Sequence, residues 1–159
     1  MKQSTLFDKL EGVYTANCDG GCRGNPGVGS IGVSIKNELT GEFTDFHKAE
    51  LMTTNNIQEL KAAIAALTHI PAGSTVTLRT DSQYVVKGVT EWLPGWKRRG
   101  WKTAGGDDVK NQDLWKHLDG LLPKHKLTWK WVKGHSGDPG NDRADLLTNQ
   151  GMDAFIRKS

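Results

Sequence analysis

Short runs of alternating apolar and polar residues, each closed by turn-forming residues, occupy the first third of the chain. Residues 13–19, 29–37 and 41–50 are predicted to be three strands, because Gly-rich and Asn-Glu-Leu-Thr-Gly segments separate them. Connections as short as these favour antiparallel neighbours. The pattern therefore predicts that the sheet begins with an antiparallel meander.

A helical spacing of apolar residues follows at 54–67. Apolar side chains at intervals of three and four residues predict one buried seam along this helix. Glu59 lies on the same helix one turn after Asn55, so these two polar side chains are expected to face the same way. The residues of the apolar seam are Ile57, Leu60, Ile64 and Leu67.

The rest of the chain alternates predicted strands and helices. Asp138 as a cap and Pro139 as the first helical residue predict where a final helix begins, and this helix carries Asp142 and Asp145. Strands that pair locally first and then alternate with helices predict an α/β fold with a five-stranded mixed sheet. Before the final helix, the predicted elements are a strand at 75–80, a short helix at 82–87, a helix at 113–122 and a strand at 127–132.

Composition agrees with one globular domain of ordinary core size. The chain has 159 residues, of which 36% are hydrophobic and 25% charged, and we expect residues 12–159 to form one domain after a short N-terminal extension at 1–11. The net charge of +3 is small, so the location of the positive charge matters more than its total. The first ten residues lack the apolar core of a signal peptide, and no stretch is long enough for a membrane span. Cys18 and Cys22 are too few for a disulfide framework, and we expect a cytoplasmic monomer.

Four acids in separate segments suggest a metal site. Asp19 and Asp81 each close a predicted strand, whereas Glu59 and Asp145 lie on predicted helices. A single Asp after a strand is usually a turn or cap residue. If the two strands are parallel neighbours joined by the helix of Glu59, however, the carboxylates meet at one edge of the sheet. Such a cluster suits paired divalent ions such as Mg²⁺, because a cation relieves the repulsion between the acids.

Characteristic motifs surround these acids, and further motifs follow them along the chain. They are Asp19-Gly20 with Gly24-Asn25-Pro26-Gly27, Thr53-Thr54-Asn55-Asn56 with Glu59-Leu60, Thr80-Asp81-Ser82-Gln83-Tyr84-Val85, Trp96-Lys97-Arg98-Arg99-Gly100-Trp101-Lys102-Thr103, Val109-Lys110-Asn111 with Asp113-Leu114-Trp115, and Trp131-Val132-Lys133-Gly134-His135. Together they resemble bacterial type 1 ribonuclease H, from about residue 14 to about residue 147. The resemblance implies the ribonuclease H-like fold and hydrolysis of the RNA strand of RNA/DNA hybrids, giving 3′-hydroxyl and 5′-phosphate ends. It further implies that Asp19 bridges two Mg²⁺ ions, for which Mn²⁺ is a plausible substitute, while Glu59 and Asp81 bind one ion and Asp145 the other.

His135 lies in a Lys-Gly-His-Ser-Gly segment whose glycines permit a mobile loop. It matches a mobile histidine of the family that assists proton movement or product departure, and imidazole suits proton transfer near neutral pH. The other four histidines lack a surrounding motif and are expected to be surface or structural residues. Asp142 is interpreted as a helix charge or an outer group rather than a metal ligand.

The resemblance also predicts two surfaces for nucleic acid. Amide side chains next to the carboxylates are expected in the minor groove, where they can recognise the 2′-hydroxyl of RNA. Thr54 and Asn111 match positions that hold a DNA phosphate. The minor-groove set is Asn25, Asn55, Asn56 and Gln83, and we include Cys22 among the contacts.

The second predicted surface is a Trp-rich basic segment, residues 92–102. Exposed aromatic rings interleaved with cations suit contact with sugars and phosphates, and the family grips the DNA strand with this region. The following Asp107-Asp108 pair makes the adjoining loop more acidic than in better-known members. Trp115, Trp129 and Trp131 are predicted to be core residues. The contact residues predicted in the segment are Trp92, Trp96, Lys97, Arg98, Arg99, Trp101 and Lys102.

Two alternatives remain at the level of sequence. Other nucleases with the same fold and acids, such as integrases, resolvases and exonucleases, differ in substrate. A non-catalytic module that binds hybrid or double-stranded RNA is the other. Four intact carboxylates argue against that module, because acids weaken binding to nucleic acid unless a metal neutralises them.

Overall fold

A five-stranded sheet flanked by helices forms the protein, and the computed structural model describes residues 12–158. The predicted N-terminal extension lies outside the described residues. A π-helical turn at Gly88–Trp92 joins α2 to α3, and a 3₁₀ turn at Leu122–Lys124 follows α4. The strands are β1 (Val13–Arg23), β2 (Gly27–Asn37), β3 (Phe43–Thr53), β4 (Thr75–Thr80) and β5 (Lys126–Trp131), and the helices are α1 (Asn55–His69), α2 (Gln83–Lys87), α3 (Leu93–Arg98), α4 (Gln112–Leu121) and α5 (Pro139–Lys158).

The sheet has the strand order β3-β2-β1-β4-β5. The first three strands pair antiparallel, while β4 is parallel to β1 and β5 is parallel to β4. The predicted meander and the mixed α/β sheet are therefore confirmed. Helix α1 connects β3 to β4. After this crossover, β4 lies beside β1 and parallel to it, which is the condition that the sequence analysis set for the two aspartates to meet.

Strand β1 is longer than predicted, because it continues past Asp19 to Arg23. Residues 20–23 stay in register with β2, from Gly20 opposite Ile31 to Arg23 opposite Val28. The Gly-rich composition of this segment favours a turn, but pairing with β2 keeps it extended. The parallel pairing with β4 does end at Cys18 and Thr80, one residue before each of the two aspartates.

Helices α1 and α5 cover opposite faces of the sheet. Ile31 and Val33 are buried in the core cluster that includes Leu60 and Leu67 of α1, as the predicted seam requires. Gly32 lies between them and faces the other way, since successive side chains of a strand alternate. A Cβ atom at Gly32 would lie 2.2 Å from the Ala144 carbonyl oxygen, so the backbone of α5 rests directly on β2. Among the helices between residues 12 and 158, none is long and apolar enough to cross a membrane.

An aromatic cluster joins the basic segment to the core. Trp115 is fully buried, its ring centroid is 5.2 Å from those of Tyr84 and Trp96, and its indole N–H donates to the Tyr84 hydroxyl at 3.0 Å. Trp92 stacks at 5.8 Å from Trp96, and Trp101 also packs against the core. The prediction of exposed aromatic rings in this segment is therefore wrong in degree, because all three are half-buried.

The three tryptophans predicted for the core differ from one another. Trp115 is buried, and Trp129 is partly buried against the core cluster. Trp131 is 43% exposed, so its prediction as a core residue is wrong. Trp131 is the last residue of β5, and β5 is an edge strand with a neighbouring strand on one side only.

Candidate active site

The end of the β1–β4 pairing brings two aspartates together. Asp19 and Asp81 each follow the last residue of the β1–β4 pairing, and the parallel direction places both at the same edge. Glu59 reaches this edge from α1, where its Oε1 accepts a 2.6 Å hydrogen bond from the Gly20 N–H. That approach requires glycine, because a Cβ at position 20 would lie 2.3 Å from the Gln58 carbonyl carbon.

The carboxylates of Asp19, Glu59 and Asp81 form a compact group. One oxygen from each can lie within 4.8 Å of the others. Asp19 and Glu59 are buried, whereas Asp81 is half-buried. Asp145 of α5 lines the same cleft, which has a volume of about 320 Å³, but stands outside the group of three. All four predicted acids therefore face one cavity, with three forming its centre.

Crowding and burial disfavour the charged forms of these acids. Burial, then the charges of Asp81 and Asp145, raise the pKa of Asp19 to about 7, although a hydrogen bond with Thr148 acts in the opposite direction. Burial, then Asp19 and Asp81, raise the pKa of Glu59 well above its usual value. A hard divalent cation suits this set of carboxylate oxygens and would relieve their repulsion.

His135 lines the same cleft from the loop before α5. Its side chain is exposed, and its backbone has a φ of 55°, in the left-handed region. The far end of the loop is fixed by Asp138, which caps α5 by accepting from the Asn141 N–H at 3.0 Å. Arg79 of β4 donates to both carboxylate oxygens of Asp138 and, at 2.6 Å, to Asn17. Arg79 holds the pKa of Asp138 at about 2.

The cleft is also lined by residues that the sequence analysis did not single out. Three of them, Arg23, Thr148 and Asn149, have polar side chains, and the others are Gly21 and Met152. Thr148 and Asn149 lie three and four residues after Asp145, so the helical period could have identified them. Arg23 belongs to the glycine-rich segment after Asp19, where only the extra length of β1 places it at the cleft. Asp142, interpreted from the sequence as an outer group, is exposed and is not among the cleft residues.

Trp131 is another contact that the sequence missed. Its indole N–H donates to the backbone oxygen of Asp81 at 3.0 Å, which ties the end of β5 to the metal-ligand candidate at the end of β4. Gln83, a predicted minor-groove residue, lies on the same side, beside Lys87 and Trp131. Gln83 is not among the residues that line the cavity shared by the other predicted amide side chains.

Those amides meet in a second, smaller cavity of about 130 Å³. The side-chain oxygen of Asn25 accepts from the Asn55 N–H at 3.2 Å, and the Thr54 hydroxyl caps α1 by accepting from the Ile57 N–H at 3.2 Å. Asn111 donates to the Tyr84 hydroxyl at 3.2 Å. Nucleic-acid contact by these residues stays a prediction. The lining residues are Asn25, Thr54, Asn55, Asn56, Lys110 and Asn111.

Cys22 also lines the carboxylate cleft. Its thiol donates to the Gly24 and Thr53 carbonyl oxygens at 2.6 and 3.2 Å, and neither Cys22 nor Cys18 is in a disulfide. The bond to Thr53 ties β1 to the end of β3, just before α1 begins.

Several cations of the basic segment already have partners. Lys97 pairs with Asp119 at 3.3 Å, and Lys102 pairs with Asp108 at 2.5 Å. Arg99 donates through Nε to the Lys102 carbonyl oxygen at 3.1 Å. Within residues 12–158, Arg98 has no ion pair or side-chain hydrogen bond. The acidic loop noted in the sequence therefore neutralises part of the predicted phosphate-binding surface.

Comparison with known proteins agrees with this site. Residues 11–153 match the RNase H family. Ribonuclease H of Polynucleobacter asymbioticus is 52% identical over 144 residues, covering 91% of this chain and 90% of the relative. Ribonuclease H of Pseudomonas putida is 51% identical over 158 residues, covering 96% of this chain and 99% of the relative. The crystal structure of LC9-RNase H1, a type 1 RNase H with the type 2 active-site motif, superposes with a TM-score of 0.80 at 29% identity, covering 91% of this chain and 74% of the other. The chain thus belongs to the RNase H family and is a bacterial-type ribonuclease H enzyme.

Proposed function

We propose that the protein hydrolyses the RNA strand of RNA/DNA hybrids by a two-metal-ion mechanism, leaving 3′-hydroxyl and 5′-phosphate ends. The observation that carries the proposal is the group formed by Asp19, Glu59 and Asp81 at one sheet edge, with Asp145 across the same cleft. Two divalent ions bound there would activate the attacking water and stabilise the leaving oxygen.

The residues of the chain have separate tasks in this proposal. Asp19 would hold both ions, with Glu59 and Asp81 as further ligands of one and Asp145 as a ligand of the other. The Gly20 N–H donates to Oε1 of Glu59 and so helps to hold this carboxylate beside Asp19 and Asp81. His135 reaches the cleft from a loop, where its imidazole can accept or release a proton at the edge of the site.

Recognition of the hybrid is proposed to use both cavities. Asn25, Asn55 and Asn56 line the smaller cavity, and Asn55 lines the carboxylate cleft as well. Asn55 therefore lies between the reaction site and the predicted DNA-phosphate contacts of Thr54 and Asn111. Amide groups there can bind the 2′-hydroxyl, which distinguishes RNA from DNA.

The decisive experiment uses one end-labelled sequence as an RNA/DNA hybrid, double-stranded RNA and double-stranded DNA, each with Mg²⁺ and with EDTA. The expected result is cleavage of the RNA strand of the hybrid alone, only with Mg²⁺, and products that carry a 5′-phosphate. Binding without cleavage under every metal condition would instead support the non-catalytic module. Cleavage of double-stranded DNA would support another nuclease of this fold.

A further inference from the structure

Arg23 introduces a positive charge into the carboxylate cleft. Among the described residues that line the cleft, it is the only Lys or Arg, and it lies with Asp19, Glu59, Asp81 and Asp145 around one cavity. An acidic cleft that binds a polyanion needs positive charge besides its metal ions, since the carboxylates repel phosphates. Arg23 is the chain's own source of that charge at the reaction site.

The guanidinium of Arg23 is held in place from α5. Nη1 donates to Asp153 at 2.7 Å, and Nη2 donates to Asn149 at 3.2 Å. Its side chain is 39% exposed, so solvent and a ligand can reach it. An arginine carries five N–H donors, and two of them are used by these partners. The remaining donors are available to the oxygen atoms of a phosphate, which guanidinium groups bind in a bidentate manner.

We infer that Arg23 binds a phosphate of the scissile strand next to the cleavage site, with Asp153 and Asn149 orienting it. The scissile strand is the one that must enter the cleft, because the carboxylates lie there. The predicted contacts with the DNA strand, Thr54 and Asn111, line the other cavity. This inference rests on the proposed function and adds an anchoring residue to it.

The alternative is a purely structural role, in which Arg23 only connects β1 to α5 through its ion pair with Asp153. Both side chains of this pair are substantially exposed, and such pairs contribute little to stability. The two roles predict different results for the two partners. If Arg23 binds phosphate, Arg23→Gln weakens hybrid binding. Asp153→Asn keeps a side-chain oxygen that can orient Arg23 but removes the competing negative charge, so it leaves binding unchanged or strengthens it. If the pair is only structural, both variants have the same effect.

The test measures Kd for a labelled hybrid in EDTA across a salt series, for wild type, Arg23→Gln and Asp153→Asn. Arg143→Gln is the matched control, because Arg143 of α5 also pairs with an aspartate, Asp45, but does not line the cleft. Arg23→Gln is expected to raise Kd about tenfold. It should also lower the salt slope by about 0.9, the value for one phosphate contact.

A second measurement locates the phosphate. An uncharged methylphosphonate linkage, with a 2′-O-methyl group on its own nucleotide, is placed in turn at each position of the RNA strand. At one position, the uncharged linkage should weaken binding by wild type but should not weaken binding by Arg23→Gln any further. If Kd depends on salt equally steeply in Arg23→Gln and wild type, or if Arg23→Gln and Asp153→Asn raise Kd equally, Arg23 does not bind a phosphate. Either result would leave the proposed function untouched. Failure of wild type to bind the hybrid at all would overturn the proposed function as well.

Discussion

The carboxylate cleft and the basic segment at 92–102 differ in whether opposite charges compensate their side chains. In the cleft, Asp19, Glu59 and Asp81 lie against one another, and burial and like charge raise the pKa of Asp19 to about 7. In the basic segment, Lys97 and Lys102 already pair with Asp119 and Asp108. The cleft therefore concentrates like charges that a cation would relieve, whereas the segment pairs two of its four cations with acids of the same chain. Changes in the cleft should affect chemistry strongly, and changes in the segment should affect affinity mildly.

The largest effect is expected for Asp81→Asn. This substitution keeps the shape of the side chain but removes one anionic ligand, so we predict a loss of cleavage of about 100-fold or more with hybrid binding largely intact. Single-turnover cleavage with Mg²⁺ and Kd in EDTA check both parts. Asp142→Asn on α5 is the control, because it removes a nearby acid that does not line the cleft. Wild-type cleavage by Asp81→Asn would exclude Asp81 from the metal site.

Replacement of His135 should have the next largest effect. His135→Asn is preferred to alanine, because asparagine tolerates the positive φ of 55° at this position. We predict that kcat falls about tenfold while KM changes little, since the imidazole acts after the hybrid has bound. His117→Asn, an exposed substitution on α4, provides the control. An increase in KM with constant kcat would make His135 a binding residue.

The repulsion in the cleft should appear as pH-dependent stability without metal. Asp19 has an ordinary pKa of 3.8 in the unfolded chain and about 7 in the folded protein, so below pH 3.8 it is protonated in both states and carries no penalty. As the pH rises to about 7, the unfolded state alone gains the charge, and the free energy of unfolding decreases. Mg²⁺ should therefore raise Tm more at pH 8 than at pH 5. Melting curves with EDTA or Mg²⁺ test this, and Asp19→Asn should show a weaker pH dependence and a higher metal-free Tm at pH 8.

The basic segment should yield a change in salt dependence rather than in chemistry. Replacing Lys97, Arg98 and Arg99 together with alanine should weaken hybrid binding for every sequence and make the salt slope shallower, by at most about 2.7. Because Lys97 and Arg99 have partners within the chain, Arg98→Ala alone should account for the largest share. Cleavage at saturating hybrid should change much less than Kd. Parallel salt lines for wild type and the triple variant would show that these residues form only a solvated face.

The smallest effect is expected for Asp108→Asn, which releases Lys102 from its ion pair. Because the pair is exposed and solvent screens its attraction, hybrid binding should tighten by a few-fold at most. Asp107→Asn removes the same charge from the neighbouring position without releasing Lys102. A difference in Kd between the two variants measures the effect of the freed lysine. Equal Kd values would show that the pair does not limit binding by Lys102.

Features with a local period could be predicted from the sequence. The meander follows from the short connections between its strands, and the buried seam of α1 follows from helical spacing. The convergence of Asp19 with Asp81 could be predicted only on the condition that their strands are parallel neighbours, which the structure confirms. The capping of α5 by Asp138 could also be predicted, because an aspartate followed by a proline is a strong signal for the start of a helix.

Features that depend on distant partners could not be predicted in the same way. Residues 20–23 have the composition of a turn, yet pairing with β2 extends β1 and brings Arg23 to the cleft. Trp131 belongs to a residue type that is usually buried, but β5 is an edge strand, and strand order is not a local property. The ion pair of Lys102 with Asp108 likewise needs the fold of the loop, although both residues are visible in the sequence.

The backbone of α5 packs directly on β2 at Gly32, and this contact joins parts of the chain that are synthesised far apart in time. Asp145 reaches the cleft only when α5 lies on β2, and a ribosome synthesises this helix long after the strands and α1 that carry Asp19 and Glu59. A nascent chain can therefore pair its first strands and still lack one wall of the cleft. The cleft is therefore complete only after α5 has been synthesised and packed on β2, so a chain that lacks α5 also lacks the Asp145 carboxylate at this site.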